Sequence, residues 1–138
     1  MSNLDTKNKL DTRYIIYLDL IKDIKNKVMD FNLSDVETSD FFIGLYNNEK
    51  FLFNKDYIVT LYILKPDGNF INIELTPKVN FKKYYCNLTS ELKNIPGEYL
   101  CYITVLNNKT KEIKTSKSKF KYFVNLDVAS ELERANDT

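Results

Sequence analysis

Residues 57–68, Tyr57-Ile58-Val59-Thr60-Leu61-Tyr62-Ile63-Leu64-Lys65-Pro66-Asp67-Gly68, constrain the fold of this chain more than any other stretch. Eight positions rich in β-branched and aromatic side chains suit a pleated, buried surface. The run stops for identifiable reasons. Proline presets the first corner of a turn, Asp bonds its own backbone, and Gly tolerates positive φ. The segment predicts an interior strand of an all-β domain, continued as a hairpin by residues 70–75.

Further strands are expected at 14–21, where Tyr14, Ile16, Leu18 and Leu20 share a phase, and at 41–46, 84–88, 98–106 and 113–124. Residues 51–53 form a short apolar step, and 89–94 suit one helical turn. Residues 22–38 fit either a short helix or an irregular strand. Seven or eight short strands joined by turns predict a β-sandwich or a small barrel. The domain limits read as a polar arm at 1–12, a sandwich at 13–124 and a short helical tail at 125–138. In the tail, Asp127 can cap a helix, Ser130 and Glu133 fit a capping box, and Val128, Leu132 and Ala135 fall on one stripe. About ten residues of helix are marginal alone, so this segment needs a surface on its own domain or on a neighbouring chain.

The residue inventory argues against chemistry. The chain has no His, two Cys and three Gly. Without His the usual general base and the commonest metal ligand are missing. Two Cys without His argue against a structural zinc site within one chain, and Cys86 and Cys101 read as reduced core thiols. Gly44, Gly68 and Gly97 are too far apart to cradle phosphate. No catalytic, cofactor-binding or metal-binding residues are expected. With 20 basic and 19 acidic residues the net charge is +1, which gives no reason to expect a nucleic acid partner. No apolar run approaches the roughly 20 residues that span a bilayer, so no membrane partner is expected. The polar start, 1–11, does not read as a signal peptide, and folding in a cytoplasm is expected.

Two motifs carry a second reading each. Gly97-Glu98-Tyr99-Leu100-Cys101 has the spacing of a tyrosine corner, so Tyr99 is expected to pin a turn while Cys101 points inward beside Ile103 and Val105. Residues 107–124 hold six lysines (Lys109, Lys111, Lys114, Lys117, Lys119, Lys121) and one acid, Glu112. Interleaved with Phe120 and Tyr122 they resemble a nucleic-acid face. The period-two pattern instead turns the lysines to water and Ser116, Ser118, Phe120 and Tyr122 to the core.

One feature points outward. Val59, Leu61 and Ile63 are the core phase of the 57–64 strand, yet the opposite phase, Ile58, Thr60, Tyr62 and Leu64, is also mostly apolar. The 98–106 strand repeats this with Leu100, Tyr102 and Thr104. If the two strands are neighbours, their outer phases merge into one patch of the kind that marks interfaces. The alternative is cover by the chain's own arm or tail helix. Ile58, Tyr62, Leu100 and Tyr102, with Leu132 from the tail, are the candidate interface residues.

In order, Tyr14-Ile15-Ile16-Tyr17-Leu18-Asp19-Leu20, Asp40-Phe41-Phe42-Ile43-Gly44-Leu45 before Asn47-Asn48, Lys65-Pro66-Asp67-Gly68, Ile95-Pro96-Gly97-Glu98-Tyr99 and Ser116-Lys117-Ser118-Lys119-Phe120-Lys121-Tyr122 resemble the N-terminal domain of the baseplate upper proteins of phages infecting Gram-positive bacteria. The resemblance spans residues 13–124. It implies an Ig-like antiparallel β-sandwich without enzymatic activity, usually a homotrimer, that joins receptor-binding or fibre modules to the tail. Its partners would be other phage structural proteins, its location the virion tail or baseplate, and its part in host-surface binding indirect. Family members commonly continue into a helical linker and further domains. This sequence carries only the one candidate helix, so the expectation is a small connector, a shortened fibre anchor or a capsid decoration protein. A carbohydrate-binding adhesion domain and an OB-like nucleic-acid binder remain the alternatives.

Overall fold

In the structure, a computed structural model that describes residues 12–33 and 39–126, eleven strands form two sheets packed as a sandwich. They are β1 (Thr12–Asp19), β2 (Met29–Asn32), β3 (Ser39–Asn47), β4 (Lys50–Leu52), β5 (Tyr57–Leu64), β6 (Phe70–Glu74), β7 (Thr76–Lys78), β8 (Lys83–Leu88), β9 (Gly97–Asn107), β10 (Ile113–Thr115) and β11 (Phe120–Asn125). Sheet A has the order β1-β3-β8-β7, with β4 also on β3. Sheet B has the order β2-β11-β9-β5-β6, with β10 also on β9. One 3-10 turn, Ser90–Lys93, fulfils the helical turn expected there. The tail helix expected at 125–138, including Leu132, lies outside the described residues, apart from Asn125, which ends β11, and Leu126.

The all-β sandwich is as expected, but three details are corrected. The strands number eleven among the described residues, not seven or eight. The sheets are mixed, not purely antiparallel: β1 runs parallel to β3, and β2 parallel to β11. Only β2 falls in the stretch 22–38 that the sequence left open between helix and strand; β1 and β3 overlap strands expected from the sequence. Parallel neighbours are not linked by a tight turn, so no local turn signal betrays them. Finally, the expected strand 113–124 is split into β10 and β11. β7 was not anticipated because Pro77 argues against a strand. It sits at the edge of sheet A, where a missing N–H is tolerated.

The core forms where the inner phases meet. Val59, Leu61 and Ile63 of sheet B and Phe41, Ile43 and Leu45 of sheet A are all fully buried. Tyr84, Tyr99 and Tyr122 are the largest fully buried side chains, and each hydroxyl finds a backbone carbonyl, as buried phenols require. Tyr84 donates to Asn54 at 2.8 Å, Tyr99 to Ile95 at 2.7 Å and Tyr122 to Leu92 at 2.7 Å. The Tyr99 hydroxyl also accepts the Ile95 N–H at 3.1 Å, which closes the corner expected from the sequence. The Lys65-Pro66-Asp67-Gly68 turn is equally direct: Gly68 donates to Lys65 at 3.0 Å with φ +89°, and Asp67 accepts the Asn69 N–H at 3.0 Å.

A polar junction ties the two sheets together at one end. Asp19, at the end of β1, is fully buried. Its carboxylate accepts four backbone N–H groups, from Ile21 (2.8 Å), Lys22 (3.0 Å), Asn48 (3.0 Å) and Glu49 (2.7 Å). The last two belong to the β3–β4 turn, where Asn48 and Glu49 both hold positive φ, at 54° and 70°. The same junction splits the last strand. The Ser116 N–H still donates to the Ile103 carbonyl of β9 at 2.9 Å, but Lys117 and Ser118 donate theirs to the Asp19 carbonyl at 3.0 and 3.2 Å, which turns the chain away from β9 after Ser116. The Ser116 hydroxyl keeps the gap satisfied, accepting the Ile103 N–H at 3.2 Å and donating to the Ser118 carbonyl at 2.8 Å.

Candidate docking surface

β5 and β9 lie side by side in antiparallel register, so the outer phases that the sequence singled out do merge. Ile58 is opposite Leu106, Thr60 opposite Thr104, Tyr62 opposite Tyr102, and Leu64 opposite Leu100. All eight are half-buried, while Val59, Leu61, Ile63, Cys101, Ile103 and Val105 between them face the core. The rings of Tyr62 and Tyr102 stack at 5.1 Å with 8° between their planes. A cross-strand aromatic pair of this kind stiffens both side chains and presents them as one unit.

Two neighbours extend the strip. β6 places Phe70 opposite Leu64, with 57% of its surface exposed. β10 places Ile113 opposite Leu106, with 64% exposed. The strip therefore crosses sheet B from Ile113, Leu106 and Ile58 through the tyrosine pair to Leu64, Leu100 and Phe70. At its centre is a shallow depression of about 450 Å³ whose lining includes Tyr62, Phe70, Leu100, Tyr102 and Lys119. Of the five candidate interface residues, the structure brings Ile58, Tyr62, Leu100 and Tyr102 onto this one face. Leu132 lies outside the described residues.

The lysine strand borders the same face. Lys117, Lys119 and Lys121 are exposed, whereas Ser116, Ser118, Phe120 and Tyr122 are buried, as the alternation implied. The two aromatics interleaved with these lysines are thus not free to stack on bases. Lys121 pairs with Glu98 at 3.3 Å and Lys25 with Asp23 at 2.8 Å. The bond from Lys25, with Lys117 and Lys119 nearby, holds the Asp23 carboxyl below its usual range despite slight desolvation.

Sequence reasoning missed a second apolar surface on the outside of sheet A. Ile15, with 58% exposed, lies opposite Phe42, and Phe42 packs against Tyr85 at 5.2 Å and against the half-exposed Phe81 at 5.5 Å. Ile15 and Tyr17 already stood in the phase opposite Ile16 and Leu18, which was the available signal. Cys86 and Cys101 are free and buried, and burial pushes Cys86 up to about 12 and Cys101 well above its ordinary value. Among the described residues, no group of three or more His, Cys, Asp or Glu could hold a metal ion.

The arrangement is a β-sandwich with a stiff apolar strip on one face and lysines along its margin. No family model and no curated protein matches the sequence. Among solved structures, the fold is similar to the N-terminal domain of phage TP901-1 ORF48. The TM-score is 0.65 at 11% identity, covering 83% of this chain and 98% of that one. At that identity the likeness is one of fold.

Proposed function

We propose that this protein is a bacteriophage structural protein of the tail baseplate or fibre attachment, acting without catalysis by self-association and by docking on other virion proteins. The observation that carries the reading is the agreement of two independent likenesses. The ordered sequence motifs point to the baseplate upper family, and the fold matches a phage domain over nearly its whole length. The apolar strip through Tyr62 and Tyr102 supports it, because such a surface on a sandwich is suited to another protein. A sugar platform is less well supported, since each tyrosine turns one ring face to the other.

The test is to purify phage particles from a culture that expresses this sequence and label them with an antibody raised against the protein. Signal at the tail tip is the expected result. Purified particles that lack the protein would overturn the proposal, and signal on the head would replace the baseplate by a decoration role.

A further inference from the structure

The chain's near-neutral charge is unevenly divided. The described residues carry 17 basic and 11 acidic side chains, a net of +6. Residues 127–138 carry four acids, Asp127, Glu131, Glu133 and Asp137, and one base, Arg134, a net of −3. Part of the basic excess lies beside the apolar strip of sheet B. Lys117 and Lys119 make no ion pair among the described residues, because nearby Asp23 is engaged by Lys25 and Glu98 by Lys121. Lys119 lines the depression together with Leu100 and Tyr102, so unpaired cation and apolar strip form one surface.

A segment that fits this surface needs an apolar stripe with carboxylates along one border. At the helical spacing read from the sequence, Val128, Leu132 and Ala135 form such a stripe, and Asp127 and Glu131, four residues apart, border it on one side. The direction of β11 also matters. It passes Cys101 at Phe120 and Gly97 at Val124, so the chain leaves sheet B heading away from Tyr102. To cover its own tyrosine pair the segment would have to double back, whereas a neighbour's sheet can receive it without reversal.

We propose that residues 127–138 of one copy dock on the outer face of sheet B of the next copy, with Leu132 on the strip at Tyr62 and Tyr102 and Glu131 against Lys119. This rests on the reading of that face as a docking surface, and it names the occupant. The contact is head-to-tail, so a rotation that closes on itself produces a ring, and three copies suffice. It also gives a marginal helix the support it needs.

The test uses the full chain and a charge-swap cycle read by sedimentation equilibrium, with circular dichroism to confirm that each variant is folded. Glu131→Lys and Lys119→Glu should each weaken self-association by about three- to tenfold, and together restore it to within about twofold. Leu132→Asp should weaken it by more than tenfold. A double variant no better than the singles would overturn the pairing. If Tyr62→Lys with Tyr102→Lys dissociates the oligomer but Leu132→Asp does not, the face remains a docking surface and its occupant is something else. If Leu132→Asp dissociates it and the tyrosine variant does not, the segments bind one another and the proposal fails. A wild-type chain that stays monomeric also overturns it.

Discussion

Ser118 and Asp19 hold the two sheets together by a reciprocal pair of hydrogen bonds. The Asp19 N–H donates to the Ser118 hydroxyl oxygen at 3.1 Å, and the Ser118 N–H donates to the Asp19 carbonyl at 3.2 Å. The same hydroxyl accepts the Ile24 N–H at 2.8 Å and donates to the Lys22 carbonyl at 2.7 Å. One small side chain therefore satisfies three backbone groups in a region without ladder bonds. Ser118→Ala should destabilise the fold by about 2–4 kcal/mol, because the groups it leaves are buried or half-buried and unpaired. Urea unfolding of the variant measures this, and a loss below about 1 kcal/mol would show that water replaces the hydroxyl.

The Asp19 carboxylate is the other half of the junction. Burial alone would raise its pKa, but the N–H groups of Lys22, Ile21, Glu49 and Asn48 outweigh that and lower it from 3.8 to about 2. A carboxyl depressed on folding contributes stability that is fully present above its unfolded pKa and is lost as pH falls through its folded one. The contribution of Asp19 is thus expected to be complete above about pH 4 and to fade between pH 4 and 2. Asp19→Asn keeps one oxygen but turns an amide donor toward the Glu49 N–H. It should cost about 2–3 kcal/mol at pH 7, and the gap to wild type should narrow as the pH drops toward 2. Denaturant midpoints at pH 7, 4 and 2.5 check both statements, and a gap that stays constant would contradict the assignment.

Gly97 opens β9 at φ +131°, and a Cβ placed there would stand 2.8 Å from the Pro66 side chain. Backbone conformation and space both demand glycine. Gly97→Ala should lower stability by about 1–3 kcal/mol, whereas Gly68→Ala has only its φ of +89° to contend with and open space around it. Thermal unfolding of the two variants should therefore rank Gly97→Ala as the more damaging.

The two thiols should be inert in the native state. Burial raises both, so almost no thiolate exists at neutral pH to attack a reagent. Ellman's reagent at pH 8 should modify neither Cys86 nor Cys101 until the protein is unfolded, and then both. Rapid reaction of either in the folded protein would place it outside the core.

Legibility in the sequence followed local signals. Turn residues and period-two alternation placed the β5–β6 hairpin, the Tyr99 corner, the lysines of 117–121 and the apolar phase of Tyr62 and Tyr102. The β1–β3 and β2–β11 pairings were hidden because parallel strands share no tight turn whose residues would announce them. The break at 116–119 was hidden because it depends on Asp19, about a hundred residues away in sequence. Asp19 itself looked like one more polar position in an apolar run. Only the fold shows that its carboxylate meets the turn at Asn48 and Glu49. The surface of Ile15, Phe42 and Phe81 was missed because its apolar side chains come from three separated segments.

The most direct test of the account is the mass of the full chain in solution, measured by light scattering across a dilution series, for wild type and for Tyr62→Lys with Tyr102→Lys. The monomer is 16.3 kDa. The account expects wild type at three times that mass, with the double variant folded but dissociated. A wild-type chain at 16.3 kDa throughout the series, or a double variant with unchanged mass, would contradict it.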